Sequence, residues 1–279
     1  MIQNKFYKLG NMNKKIALFS DIHFNANYDI SIFEKIIINL KENKPDFICL
    51  PGDILDDAKI LSQKEEMEKL TNFFREISLI SPVIISPGNH DFTNLIKNKR
   101  HYLTPEEYFL SLKKIQNIHY LNNKSLVRDN LTFTGFNPSF EYYYSTPKED
   151  KNKFISELDE KIIVKPNQYN ILLCHTPKCI FQKDTFKKSK NVHKFDLILS
   201  GHMHNGLVFK CLDKFGHTGF VGPFYKPFPK YARGHIINND VKTKHLIISG
   251  GVTKFSFSAP KIFHKLNFLY PISIDYIEL

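Results

Sequence analysis

Five short clusters of Asp, His and Asn punctuate this chain: Asp21-Ile22-His23, Gly52-Asp53, Gly88-Asn89-His90-Asp91, His175 and Gly201-His202-Met203-His204. Each stands directly after an apolar run of strand-like composition. Singly the clusters say little, because Gly-Asp dipeptides are common turns and a lone His after a strand is usually a hydrogen-bonded structural residue. Together they offer carboxylate, imidazole and amide donors without thiolate, the mixture suited to Mn, Fe or Zn in an open hydrolytic site. Residues two apart on an extended segment project to the same side, so Asp21 and His23 can reach one cation. His202 and His204 can do likewise, or can divide between two neighbouring cations.

For five clusters to meet, the elements before them must end at one edge. In α/β sheets, ligands and catalytic groups gather beyond the carboxyl ends of the strands. The apolar pattern supplies such strands at Ile16–Phe19, Phe47–Leu50, Val83–Ile85, Leu131–Thr134, Ile171–Cys174, Leu197–Leu199 and His245–Ile248, with partial alternation from Pro271 to Leu279. Helical spacing intervenes at Ile32, Phe33, Ile36, Ile37 and Leu40, and again at Met67, Leu70, Phe73 and Phe74. Ser31 with Glu34 and Ser62 with Glu65 read as capping boxes, and Thr104-Pro105-Glu106-Glu107 as a helix start. Strands alternating with helices predict an α/β layered fold. The stretch between Gly206 and Gly234 mixes Phe, Tyr, Pro, Gly and Lys without a period, and long loops in compact domains are commonly functional.

The 279 residues suffice for one large domain, read as an N-terminal extension over 1–13 and a single domain over 14–279. A hydrophobic share of 42% with 25 Phe, against 24% charged residues, excludes a disordered composition. The formal charge of +11 invites a polyanion such as nucleic acid or an anionic membrane surface. The lysines, however, are spread along the chain among Asn and Ile, which is a compositional bias rather than one basic face. Only Lys97-Asn98-Lys99-Arg100 and Lys187-Lys188-Ser189-Lys190 are concentrated, and both read as solvated loops. Cys49 and Cys174 lie in strand-like runs, and Cys179 and Cys211 lack a CxxC partner, so reduced, packed thiols are expected. Ile16–Phe19 is too short for a signal-peptide core and no stretch is long enough to cross a bilayer, which points to a cytoplasmic protein with at most peripheral membrane contact.

The ordered set DxH, GD, GNHD, a lone His and GHxH, running from Asp21 to His204, resembles the calcineurin-like metallophosphoesterases. The resemblance implies a four-layer α/β/β/α sandwich of two mixed β-sheets with a binuclear site at the strand ends. By motif, Asp21, His23, Asp53 and His204 would hold one divalent ion, and Asp53, Asn89, His175 and His202 the other, with Asp53 bridging. Mn is the first expectation, with Fe, Zn or Mg as substitutes. A hydroxide between the two ions would attack phosphorus in line in a phosphomonoester, phosphodiester or pyrophosphate. Asn89 and His90 would face the substrate, His90 protonating the leaving oxygen, and Asp56 resembles the family carboxylate that orients this histidine. Asp57 stands where the protein Ser/Thr phosphatases of the superfamily carry Arg, which argues against protein phosphatase activity. Asp91 reads either as a support for His90 or as a solvated turn residue.

Residues 207–234 are similar to an aromatic, proline-rich loop in a bacterial subgroup acting on phosphodiesters and lipid-linked pyrophosphates. Phe215, Phe220, Phe224, Tyr225, Phe228 and Tyr231, with Lys226, Lys230 and Arg233, would either pack the loop onto the sheet or form a basic, aromatic surface for lipid or for stacked bases. A Mn-dependent nuclease of the DNA-repair type is the first alternative, favoured by the positive charge and opposed by the lack of a coiled-coil segment. A non-catalytic scaffold on the same fold is the second, opposed by the complete ligand set. His101, His119, His193, His217, His235, His245 and His264 lie outside the motifs and read as ordinary surface or core residues.

Overall fold

Strands whose every residue is apolar must be covered on both faces, and those predicted here are. The computed structural model describes residues 2–92, 105–139, 141–144, 148–162, 164–177, 188–209, 211, 216–222, 227–237, 245–253 and 272–279. In chain order the strands are β1 (Ile2–Lys8), β2 (Lys15–Leu18), β3 (Phe47–Pro51), β4 (Val83–Ser86), β5 (Ile118–Tyr120), β6 (Lys124–Arg128), β7 (Leu131–Gly135), β8 (Tyr169–Leu173), β9 (Leu197–Ser200), β10 (Gly234–Ile237), β11 (His245–Ile248) and β12 (Ile272–Glu278). The helices are α1 (Ser31–Asn43), α2 (Lys64–Ser78), α3 (Pro105–Leu112), α4 (Glu141–Tyr144) and α5 (Lys148–Lys161).

These strands form two mixed six-stranded sheets, ordered β1-β12-β2-β3-β4-β5 and β10-β11-β9-β8-β7-β6. In the first, β2 through β5 run parallel while β12 is antiparallel to β2. In the second, β7, β8, β9 and β11 run parallel and β6 and β10 are antiparallel edges. The two-residue period of a strand then sorts the side chains. Ile16, Leu18, Phe47, Cys49 and Ile84 face the other sheet and meet Phe133, Ile171, Leu173, Leu197 and Leu199 in one buried cluster. Their neighbours Ala17, Phe19, Ile48, Leu50, Val83 and Ile85 point outward onto Phe33 and Ile36 of α1, Leu70, Phe73 and Phe74 of α2, and Phe109 of α3. On the far side, Leu172, Ile198, Leu246 and Ile248 pack against Phe154, Ile155 and Leu158 of α5. The layers are therefore α/β/β/α, as expected.

Local expectations fared less evenly. Neither capping box forms. Ser31 instead donates its hydroxyl to Asp29 Oδ1 at 2.7 Å, and the Ser31 amide bonds the same oxygen at 3.2 Å. Ser62 ends a 3₁₀ turn over Ala58–Ser62 and donates back to the Lys59 carbonyl, so it cannot also cap α2. Pro105 does open α3, while Thr104 lies outside the described residues. Residues 1–13, set apart as an extension, contribute β1, which pairs in parallel with β12 over its whole length. Among the described residues no helix is long and apolar enough to cross a membrane.

Candidate metal centre

Each cluster leaves the carboxyl end of a parallel strand: Asp21 and His23 follow β2, Asp53 follows β3, Asn89 and His90 follow β4, His175 follows β8, and His202 and His204 follow β9. The segments are not extended. Asp21, His23, Asp53, His202, His204 and Asn205 all hold a positive φ between 44° and 70°, a left-handed backbone costing about 1–3 kcal/mol per non-glycine residue. Alternation along an extended segment is therefore not what places Asp21 and His23 side by side. The strain is offset by a ladder between the turns, in which the amides of Asp21, His23 and Phe24 donate to the carbonyls of Gly52, Asp53 and Ile54 at 3.1, 3.0 and 2.9 Å. Glycine is required where the turns touch. A Cβ on Gly88 would lie 2.3 Å from Asp53 Oδ1, and one on Gly52, at φ +86°, would lie 2.7 Å from Gly88 Cα.

The side chains gather into groups able to hold a metal ion: Asp21, His23 and His204; Asp53, His175 and His202; and His23, Asp53 and His90. In the first group, His23 Nε2 lies 3.2 Å from His204 Nε2, and Asp21 Oδ1 lies 3.5 Å from His204 Nε2. The two histidines of the last motif therefore divide between groups. Asp53 Oδ2 stands between them, 3.6 Å from His23 Nε2 and 2.9 Å from His175 Nε2. Asn89 is buried in the same turn as His90, whose amide donates to Asp53 Oδ1 at 2.8 Å.

The surroundings hold what the sequence did not disclose. His175 Nδ1 is 2.6 Å from the Pro51 carbonyl and His90 Nδ1 is 2.8 Å from the Asp56 carbonyl, so each ring donates through Nδ1 and keeps Nε2 for the centre. His90 thus bonds the Asp56 main chain, while the Asp56 carboxylate sits 3.8 Å from both His90 and His23. Asp91 neither supports His90 through its side chain nor faces solvent. It is fully buried and accepts backbone N–H bonds from Asp53, Ile54, Leu55 and Gly88. Ser20 donates to Asp21 Oδ2, and the Tyr143 ring of α4 packs edge-on against His202 with centroids 5.5 Å apart. Ser20 and Tyr143 belong to no motif, and only their position in the fold reveals them.

Burial dominates the electrostatics. It holds His23, His202 and His204 below the usual imidazole range, with neighbouring imidazoles His90 and His175 adding to the effect on all three. Burial also works to lower His175, but the Asp53 and Asp21 carboxylates outweigh it and raise that ring to about 9. Burial works to raise Asp53, yet His175, His90 and His23 hold its carboxyl well below the ordinary range. Burial lifts Asp56 to about 6 against the pull of His90, and His90 itself is raised, desolvation being outweighed by Asp53 and the Asp56 carbonyl. An anionic Asp53 beside His23, His202 and His204, whose rings burial keeps neutral, matches the protonation a divalent cation requires, and His175 would have to release its proton on binding, so a pair of such ions fits this donor set.

The loop over 207–234 starts from the last motif. Its Phe220 and Val221 amides both donate to the Gly206 carbonyl, two residues after His204. Hydrogen bonds Phe228 N to Phe220 O and Gly219 N to Pro229 O, with a bridge between Val221 and Pro227, make a short hairpin. Phe220 is 41% and Phe228 70% exposed, whereas Tyr231 packs against the core and Arg233 is buried, donating from Nε to the Gly216 carbonyl. Both packing and exposure thus occur within one loop. Phe215, Phe224, Tyr225 and Lys226 lie outside the described residues, as do His101, His264, Cys179 and the run 97–100. Cys49 and Cys174 are buried and reduced, and Cys211 is free and exposed.

A family model described as calcineurin-like phosphoesterase matches residues 14–206. An uncharacterized metallophosphoesterase of Helicobacter pylori is 25% identical over 272 residues, covering 95% of this chain and 59% of its own length. The Campylobacter jejuni metallophosphoesterase Cj0846 is 23% identical over 196 residues, covering 70% of this chain and 45% of its own. The chain therefore spans about half the length of these curated relatives. A dimetal phosphatase from Danio rerio superposes with a TM-score of 0.49 at 10% identity, over 86% of this chain and 88% of that one.

Proposed function

The chain belongs to the calcineurin-like phosphoesterase family, and from that premise we propose that it hydrolyses a phosphate ester or anhydride using two divalent cations, manganese foremost. Asp21, His23, Asp53 and His204 would hold one ion, and Asp53, Asn89, His175 and His202 the other. The observation that carries this reading is the position of Asp53, whose Oδ2 is 3.6 Å from His23 Nε2 of one group and 2.9 Å from His175 Nε2 of the other. When bound, the cations supply a nucleophilic hydroxide at neutral pH and neutralise the phosphoryl oxygens.

The protein supplies position and a proton. With Nδ1 on the Asp56 carbonyl, His90 presents Nε2, and at one-third side-chain exposure it sits at the rim where a leaving oxygen departs. A raised imidazole stays protonated nearer neutral pH and can give that proton up. His90→Ala is expected to lower kcat about 10²–10⁴-fold on a phosphoester with an alkyl leaving group. On a p-nitrophenyl ester, whose leaving group departs without a proton, the loss is expected to be far smaller, with metal content unchanged. Equal losses on both substrates would remove His90 from this role.

For the attached group, the exposed Phe220 and Phe228 on a hairpin bonded to Gly206 support a substrate with an apolar portion, a phosphodiester or a lipid-linked pyrophosphate. The test is a Mn²⁺-supplemented screen across phosphomonoesters, bis(p-nitrophenyl) phosphate, acylated pyrophosphates and single-stranded DNA. The expected result is preferred turnover of the acylated substrates, with Phe228→Ala lowering their kcat/KM selectively. Preference for DNA would favour the nuclease reading, and no turnover by a metal-loaded protein would favour the scaffold.

A further inference from the structure

Asp91 stands next to His90 in sequence but turns away from the chemistry. Its carboxylate is fully buried at the junction of the turns that follow β3 and β4. Oδ1 accepts from the amides of Ile54 and Leu55 at 3.0 and 2.9 Å, and Oδ2 from those of Asp53 and Gly88 at 3.1 and 2.7 Å. Three of these donors belong to the turn that carries Asp53, and the fourth to the turn that carries Asn89 and His90. One side chain therefore satisfies four buried main-chain groups on both turns, and a carboxylate is the side chain that can accept that many without offering a donor.

The cross-link is reciprocal. Asp91 holds the Asp53 amide, while the His90 amide holds the Asp53 carboxylate at 2.8 Å. Asp53 is thus gripped at main chain and side chain by the β4 turn, in a left-handed backbone of φ +54°. Partners that orient ligands from outside the coordination sphere tune metal affinity without touching the ion.

We propose that Asp91 is a positioning residue that sets where the Asp53 carboxylate lies between the two ligand groups, and so controls uptake of the second cation. This rests on the two-cation reading above. Asp91→Asn keeps the volume but leaves one oxygen for four amides and turns an NH₂ toward two of them.

The test is calorimetric titration of Mn²⁺ into metal-stripped protein, well below the unfolding temperature, for the wild type, Asp91→Asn and Asp91→Ser. The wild type is expected to take up two equivalents, and each folded variant to bind one of them about 10–100-fold more weakly. A fold support with no positioning role would lower the melting temperature and leave both affinities intact, and that result in a folded variant would overturn the proposal. Failure of both variants to fold would also overturn it, since Asp91 would then serve the whole fold. A wild type that takes up no Mn²⁺ would sink the two-cation reading itself, which is distinguishable because it needs no variant.

Discussion

Asp53→Asn is expected to reduce turnover about 10²–10³-fold, the scale on which losing one preorganised electrostatic contact operates, while far-UV circular dichroism stays unchanged. The substitution preserves volume and one oxygen, so the bond from the His90 amide to Oδ1 can persist. What it removes is the negative charge between His23 and His175 and the oxygen 2.9 Å from His175 Nε2. Bound metal should fall from two equivalents to one or fewer. In the metal-free protein the His175 ring, raised to about 9 with Asp53 as the first of the groups that lift it against burial, should titrate at lower pH, because the imidazolium has lost its nearest counter-charge. Two retained equivalents and turnover within tenfold of wild type would show that Asp53 does not bridge.

Chelation should abolish activity and also lower the melting temperature, with both restored by Mn²⁺. The native site places Asp21, Asp53 and their histidines in a buried nest that the unfolded chain cannot assemble, so metal binding favours the folded state. A ligand at 100 times its Kd stabilises by about 2.7 kcal/mol, which for a chain of this size corresponds to a shift of roughly 5 °C or more. Scanning calorimetry with and without Mn²⁺ reads the shift directly, and Asp53→Asn should show much less of it. A melting temperature indifferent to saturating Mn²⁺ and Zn²⁺ alike would show that no cation binds with useful affinity.

The central strands were legible because they are buried on both faces. Ile16–Phe19, Phe47–Leu50, Ile171–Cys174 and Leu197–Leu199 are apolar throughout, and each lies within one or two residues of a strand in the structure. The peripheral elements were not. The β6 sequence Lys-Ser-Leu-Val-Arg is an exposed edge, and among its described side chains α5 buries Phe154, Ile155 and Leu158 amid charged residues, so neither needs a strong pattern. β1 carries no alternation that would separate it from a polar extension, and its strand exists because β12 lies alongside. The capping boxes failed because a hydroxyl three residues from a glutamate is only one option, and Ser31 and Ser62 found nearer acceptors in Asp29 and Lys59.

For the candidate centre, the sequence by itself determined which side chains are available and that each follows a strand, since donor type and order along the chain are one-dimensional facts. Only the tertiary structure decided who meets whom. Parallel alignment of β2, β3 and β4 in one sheet and of β8 and β9 in the other brings five strand ends to one edge, and left-handed turns then aim the side chains. Asp91 shows the limit most plainly. Nothing in Gly88-Asn89-His90-Asp91 says that one carboxylate faces the site's backbone while its neighbour faces the site, because that depends on amides 36 to 38 residues away in sequence and about 3 Å away in space.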